Sequence, residues 1–169
     1  TLQTAILSNG AKVVLAQRED VPLVEMNFQF SFGYAQENND ELGYTNFMMG
    51  MLNEGTKKYS SLEFDEVLDS LGSNLGFGSG LDSSVVSVSS LKANLSDTLD
   101  LAKEALVNPT FPQNEIDRIK KQTLASIVQE ENRPASIAYR NIGKLLYGED
   151  HPYGKPLTGS GVSATISSI

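Results

Sequence analysis

The chain has 169 residues, 40% hydrophobic and 20% charged, the ordinary make-up of one globular domain with a real core. Thirteen basic against twenty-one acidic residues leave a net charge of −8 with no basic run, which argues against nonspecific nucleic-acid binding. The lack of cysteine excludes disulfides and thiolate metal sites, and no stretch reads as a membrane-spanning helix. The cysteine count leaves the compartment open but suits an exported protein that avoids stray oxidation. The sequence opens directly into strand-like residues, so any signal peptide is expected to be absent or removed.

The first elements read as strands. Ala5 to Leu7 and Val13 to Ala16 flank Ser8-Asn9-Gly10, a strong hairpin signal. Val24, Met26, Phe28, Phe30 and Phe32 alternate with Glu25, Asn27, Gln29 and Ser31, the period of a long half-buried strand. Tyr44 to Leu52 is an apolar helical segment with methionine at 48, 49 and 51, a residue type that commonly fills cores, and Gly55 ends it. Ser60-Ser61-Leu62-Glu63 has the spacing of a capping box, and Leu62, Val67, Leu68 and Leu71 supply a helical face that Gly72 stops.

A second strand pair follows, Leu75 to Phe77 and Ser84 to Leu91, around a Gly/Ser/Asp turn. Ser96 is placed to cap a helix with Leu99, Ala102 and Leu106 inward, ending before Pro109. Ile116, Ile119, Leu124, Ile127 and Val128 stripe a long helix that Pro134 ends or bends, and another helix runs to about Tyr147. The order strands, helices, strands, helices predicts an α+β fold, a mixed, largely antiparallel sheet with helices on one face. There is no linker and no short tandem repeat, so residues 1–169 are read as one domain.

Chemistry-bearing residues are sparse. His151 is the only histidine, and a lone imidazole in a Gly/Pro-rich loop cannot build a zinc site. Serines are abundant, but no nucleophile–base pairing is visible. Gly76-Phe77-Gly78-Ser79-Gly80 lacks the Lys-Ser/Thr and the helix that a phosphate loop requires. Glu130 and Glu131 read as a solvated helix face, and Glu37, Asp40 and Glu41 as charges favouring a helix N-terminus.

Leu42 to Thr56, Leu-Gly-Tyr-Thr-Asn-Phe-Met-Met-Gly-Met-Leu-Asn-Glu-Gly-Thr, resembles the zinc helix of the pitrilysin/insulinase-type metallopeptidases, the inverzincins with H-x-x-E-H. The apolar frame, Gly43 and Gly55-Thr56 match. The first histidine position holds Asn46, the glutamate position Met49 and the second histidine position Gly50. A further family zinc ligand, a glutamate from a later helix, aligns through Asn132-Arg133-Pro134 with Ser126, and an accompanying family glutamate with Ile119. Other blocks match in order: Leu7 to Leu15, Phe32-Gly33-Tyr34, Leu71 to Leu75, Leu146 to Gly154 and Pro156-Leu157-Thr158-Gly159.

The resemblance implies a mitochondrial-processing-peptidase-like metallohydrolase half-unit, truncated at its C-terminal end and similar to the second, inactive unit of long bacterial exported members. It implies no catalytic residue in this chain and no metal held here, since Asn46 is a poor zinc ligand and Met49 and Gly50 offer no suitable donor. Zinc is expected in a homologous active unit, in the same polypeptide or a partner subunit, and an extended peptide is the substrate class of the assembly. In the family the strand at Gly76-Phe77-Gly78-Ser79 can pair with substrate by edge addition, but Phe77 places bulk where active forms are small. Met49 and Ile119 imply that the former site is packed as core. Asn46, ligating nothing, is expected to tolerate alanine. An exported, periplasmic location follows the same resemblance. The alternative is a purely structural or assembly module of the same fold; an active enzyme with a relocated metal site is disfavoured by the scarcity of histidine and cysteine.

Overall fold

The computed structural model describes residues 2–18 and 20–169. Asn9 and Gly10 turn the chain between two short strands: Asn9 Oδ1 accepts from Ala11 N at 3.0 Å, and Gly10 takes φ 87°, a conformation that glycine adopts without steric cost. The strands β1 (Leu2–Ile6) and β2 (Lys12–Ala16) pair antiparallel, Leu2 opposite Ala16 and Ile6 opposite Lys12. They form a sheet of their own, and every residue in them is exposed.

The main sheet has three strands, β3 (Leu23–Phe30), β4 (Asn74–Ser79) and β5 (Ser84–Leu91), in the order β3-β5-β4, with both pairings antiparallel. β5 alternates strictly: Ser84, Val86, Val88 and Ser90 are buried, and the residues between them are half-buried or exposed. β4 is an edge strand. Among the described residues six α-helices accompany the sheet: α1 (Tyr44–Met51), α2 (Ser61–Ser70), α3 (Leu95–Val107), α4 (Gln113–Glu131), α5 (Pro134–Tyr147) and the short α6 (Ser163–Ser168). This is the predicted α+β arrangement, with only antiparallel pairings among the described residues.

Two apolar clusters join sheet to helices. Met49, Leu52 and Val86 form one, with Met48 and Phe77 against it. Phe64, Leu101 and Ala105 form the other, with Tyr59, Val67, Leu68, Leu71, Leu75 and Phe77 around them. Phe77 belongs to both, so one aromatic ring ties α1 to the α2–α3 layer. Burying such a side chain contributes about 1.5–3 kcal/mol.

Local signals explain most boundaries. The Ser60 hydroxyl accepts from Glu63 N at 3.4 Å and Glu63 Oε2 accepts from Ser60 N at 2.8 Å, so α2 opens on the predicted capping box. The same contacts hold the Glu63 carboxyl below its ordinary range. Pro134 sits at the first position of α5, where its missing N–H costs nothing.

Some readings shift. The inward face of α2 is centred on Phe64, while Leu62 is 69% exposed. In α3 the cap position is Asn94, not Ser96, because a single 3₁₀ turn at Lys92–Asn94 feeds the helix directly. The inward residues there are Leu101, Ala102 and Ala105, and Leu106 faces out. On β3 the expected apolar face is half-covered only at Val24 and Met26; Phe28 and Phe30 are exposed. Val128 on α4 is exposed, as are Leu145 and Leu146 on α5.

Candidate functional site

The N-terminus of α1 is built by residues that the backbone geometry selects. Gly43, the cap, takes φ 95°, and a side chain there would press on Ser160 O at 2.8 Å and Gly161 Cα at 2.9 Å. Glu37 reaches back to this end: Oε2 accepts from Gly43 N at 2.8 Å and Oε1 from Thr45 N at 2.7 Å. A carboxylate thus satisfies two free amides at the positive end of the helix. Glu41 instead turns to Asn38 Nδ2 at 2.8 Å. The Lys155 ammonium donates to Ala35 O at 2.7 Å and also to Glu37 O, and burial pulls it below the usual lysine value against the opposing pull of Glu37.

Asn46 lies one turn further on. Its Oδ1 accepts from Ser79 N at 3.1 Å and its Nδ2 donates to Gly159 O at 3.1 Å. One carboxamide therefore joins α1, the end of β4 and the 157–161 loop. Tyr34, buried beside it, donates to Leu157 O at 2.9 Å; burial is the main cause that raises its phenol pKa, so it stays a neutral donor. Gly159 takes φ 69°, and a Cβ there would overlap Asn46 Nδ2 and stand 2.8 Å from the Tyr34 ring.

The far side of the loop is clamped by an ion pair. Arg140 Nη1 lies 2.6 Å from Glu130 Oε2 and 2.9 Å from Ser160 Oγ, and Nη2 donates to Gly161 O at 2.8 Å. Ser160 Oγ donates to the same Glu130 oxygen at 2.8 Å. Arg140 is 8% exposed. A buried guanidinium needs this many partners to offset its lost hydration. Glu130 is therefore not part of a solvated face as the sequence suggested; its partner is ten residues on, across Pro134. Glu131 is exposed.

The aligned zinc positions do not converge as donors. The Asn46 amide is spent on two backbone groups. Met49 is 2% exposed and packed against Leu52 and Val86. Gly50 has no side chain, and a Cβ added there would meet nothing within 4 Å. Ser126 is exposed and Ile119 half-buried. The expectation of core packing made on Met49 and Ile119 holds at Met49 and only in part at Ile119, which is half-buried, while there is free space at Gly50 and Ser126 is exposed. The expectation that Asn46 is idle is also corrected, since its two bonds reach segments distant in sequence. Among the described residues no group of three or more His, Cys, Asp or Glu side chains is placed to hold a metal ion. His151 stands in its loop, Nδ1 accepting from Tyr153 N at 3.0 Å and its ring stacked on Tyr147. A zinc ion does not fit the donors at these positions.

At β4 the ring of Phe77 turns inward, into both apolar clusters, so its bulk does not obstruct the outer surface. Gly76 and Gly78 alternate with it; Gly78 leaves the outer surface bare, and Gly76 is covered by Ser87, whose hydroxyl donates to Gly76 O at 3.4 Å. A separate apolar recess of about 760 Å³ lies on the other side of α1, lined by Phe47, Met48, Met51, Phe111 and Ile116 among others. Sequence reasoning missed Tyr34, Arg140, Gly159 and Gly161. The arginine inside the apolar stripe of α5 and the Thr158-Gly159-Ser160-Gly161 run were the available signals.

A family model described as Insulinase (Peptidase family M16) matches residues 12–160. An uncharacterized zinc protease of Rickettsia felis is 26% identical over 163 residues, 96% of this chain and 39% of the relative. The non-peptidase homolog YmxG of Helicobacter pylori is 27% identical over 126 residues, 73% of this chain and 29% of the relative. The crystal structure of the peptidase M16 inactive domain from Pseudomonas fluorescens superposes with TM-score 0.90 at 30% identity, covering 99% of this chain and 40% of that one. The periplasmic protease PqqL of Escherichia coli shares the fold at TM-score 0.83 and 20% identity, covering 99% of this chain and 19% of that one. The chain thus spans well under half the length of the relatives it matches.

Proposed function

The chain belongs to the insulinase family, peptidase family M16, and from that premise we propose that it is the first part of an inactive unit completing the peptide chamber of a zinc-bearing homologue. Its likeness to a solved M16 inactive domain and to a non-peptidase homolog supports an inactive peptidase-like unit. The observation that carries the reading is the state of the four aligned zinc positions: a spent amide, a core methionine, a glycine and an exposed serine. Without two histidines on one helical turn there is no grip on zinc, and without the carboxylate there is no base for a metal-bound water.

Residues 1–169 make up a single peptidase-like portion in this reading. Zinc belongs to the partner unit, fused or separate, and the substrate is an extended peptide. Location in the periplasm, or export more generally, goes with the reading, and no helix among the described residues is long and apolar enough to cross a membrane. The uncovered side chains of β1, β2, β3 and α5, among them Ile6, Phe28, Phe30, Leu145 and Leu146, favour packing against further protein.

The test is reconstitution of the full-length protein with a zinc-bearing M16 unit. The complex should cleave a quenched peptide, and mutating the partner's zinc ligands should abolish cleavage while Ser126→Ala here leaves it intact. Cleavage by the 169-residue chain alone would overturn the inactive assignment. A complex that forms but gains nothing from this chain would favour a purely structural module.

A further inference from the structure

Among the described residues β4 is an edge strand with no partner on its outer side, and the geometry of its last residue decides how much of that edge a second strand can use. In an antiparallel pair the N–H and C=O of alternate residues point to the partner, and those between point away. Ser79 N donates to Asn46 Oδ1, outside the sheet, while Gly80 N donates to Ser83 O across the turn to β5. The outward groups of β4 are therefore those of Leu75, Phe77 and Ser79, in steps of two. The Ser79 slot is already taken by a side chain of α1. That side chain is held from behind by Gly159 O, in a loop fixed by Tyr34 and by the Arg140–Glu130 pair.

We propose that Asn46 is a stop on the β4 edge: it fills the Ser79 hydrogen-bonding slot, so an extended peptide can pair only with Leu75 and Phe77 and ends short of the former zinc corner. The inference rests on the reading that the chain lines a peptide chamber. A side-chain amide suits the stop because it supplies an acceptor to Ser79 and a donor to the loop at once, which neither Ala nor Asp does. The outer surface is open at Gly78, where a Cβ would meet nothing within 4 Å, while the Ser87 hydroxyl lies over Gly76, so room beside the strand upstream of the stop is greatest at Gly78. Edge strands that are neither paired nor covered invite unwanted strand addition, and a capping side chain is one way to limit it. A residue type that cannot serve zinc chemistry thus has a use at this position.

The experiment is amide-resolved NMR of the 169-residue chain, with and without an unstructured apolar decapeptide, for the wild type, Asn46→Ala and Asn46→Ser. Without peptide, the Ser79 amide should exchange with solvent about fivefold to tenfold faster in Asn46→Ala, the effect of losing one net hydrogen bond. Dispersion of the other β4 and β5 amides reports that the variant is folded; if Asn46→Ala is not, Asn46→Ser, whose hydroxyl keeps a polar group at this position but is too short to span Ser79 N and Gly159 O, takes its place. With peptide, the wild type should shift Leu75 and Phe77 but not Ser79, and the variant should add Ser79 to the shifted set. A wild-type complex in which Ser79 also shifts overturns the stop while leaving the chamber reading standing. Peptide that perturbs β4 in neither protein overturns both.

Discussion

The corner that the family resemblance assigns to a lost zinc site divides into two unlike halves. At Asn46 and Met49 the space is filled, one side chain hydrogen-bonded to two distant backbone groups and the other packed in the core. At Gly50 and Ser126 it is open, with nothing near a Cβ at 50 and an exposed hydroxyl at 126. The filled half is bounded by β4, β5 and the 157–161 loop, so any residue there must satisfy packing and hydrogen bonding. At Gly50 and Ser126 solvent can replace a missing side chain at little cost. Packing constraints are strong on one side and weak on the other.

The sharpest way to break this contrast is Met49→Glu. It places a carboxylate in the cluster of Met49, Leu52 and Val86 with no basic partner among the groups described around it. A buried unpaired charge costs about 3–5 kcal/mol, or the group stays protonated instead. Its folded pKa would be raised, so the loss should be full at neutral pH and fade as pH falls toward the unfolded value of about 4.3. Thermal melts at neutral and acidic pH read both; an unchanged melting temperature would mean that the filled half is wet.

Gly159→Ala comes next. It adds backbone strain at φ 69° and a methyl that overlaps the Asn46 amide, so about 1–3 kcal/mol should be lost in urea titration. Gly50→Ala acts on the open half with the opposite sign. With free space and a helical position, it should stabilise by roughly 0.5–1 kcal/mol. Ser126→Glu, on an exposed face of α4, should move stability by no more than about 0.5 kcal/mol. If Gly50→Ala and Gly159→Ala proved equally costly, the division into filled and open halves would not hold.

Local chemistry made much of the fold legible. The Asn9-Gly10 turn, the Ser60–Glu63 box and Pro134 at a helix boundary all depend on neighbours in sequence, and each stands where the sequence put it. What escaped depends on partners far along the chain. Glu130 looked solvated because its cation is on the next helix and its hydroxyl partner on a later loop. The orientation of Phe77 is set by which face of β4 the helices cover. On α2 Val67, Leu68 and Leu71 face the core as read, but Leu62 is exposed and Phe64 takes the buried place in the first turn. At the site, positions could be aligned from the sequence, but the hydrogen bonds of Asn46 could not be read, since Ser79 and Gly159 meet it only in three dimensions.

The most direct test of the central claim is the zinc content of the purified 169-residue chain after incubation with excess zinc and exhaustive dialysis. Elemental analysis and a competitive chelator titration would give stoichiometry and affinity together. The expected result is substoichiometric zinc with no saturable site at micromolar or tighter affinity, because the amide at 46 is engaged, 49 is core, 50 has no donor and 126 is a lone hydroxyl. One equivalent retained through dialysis, and lost on Asn46→Ala, would contradict it.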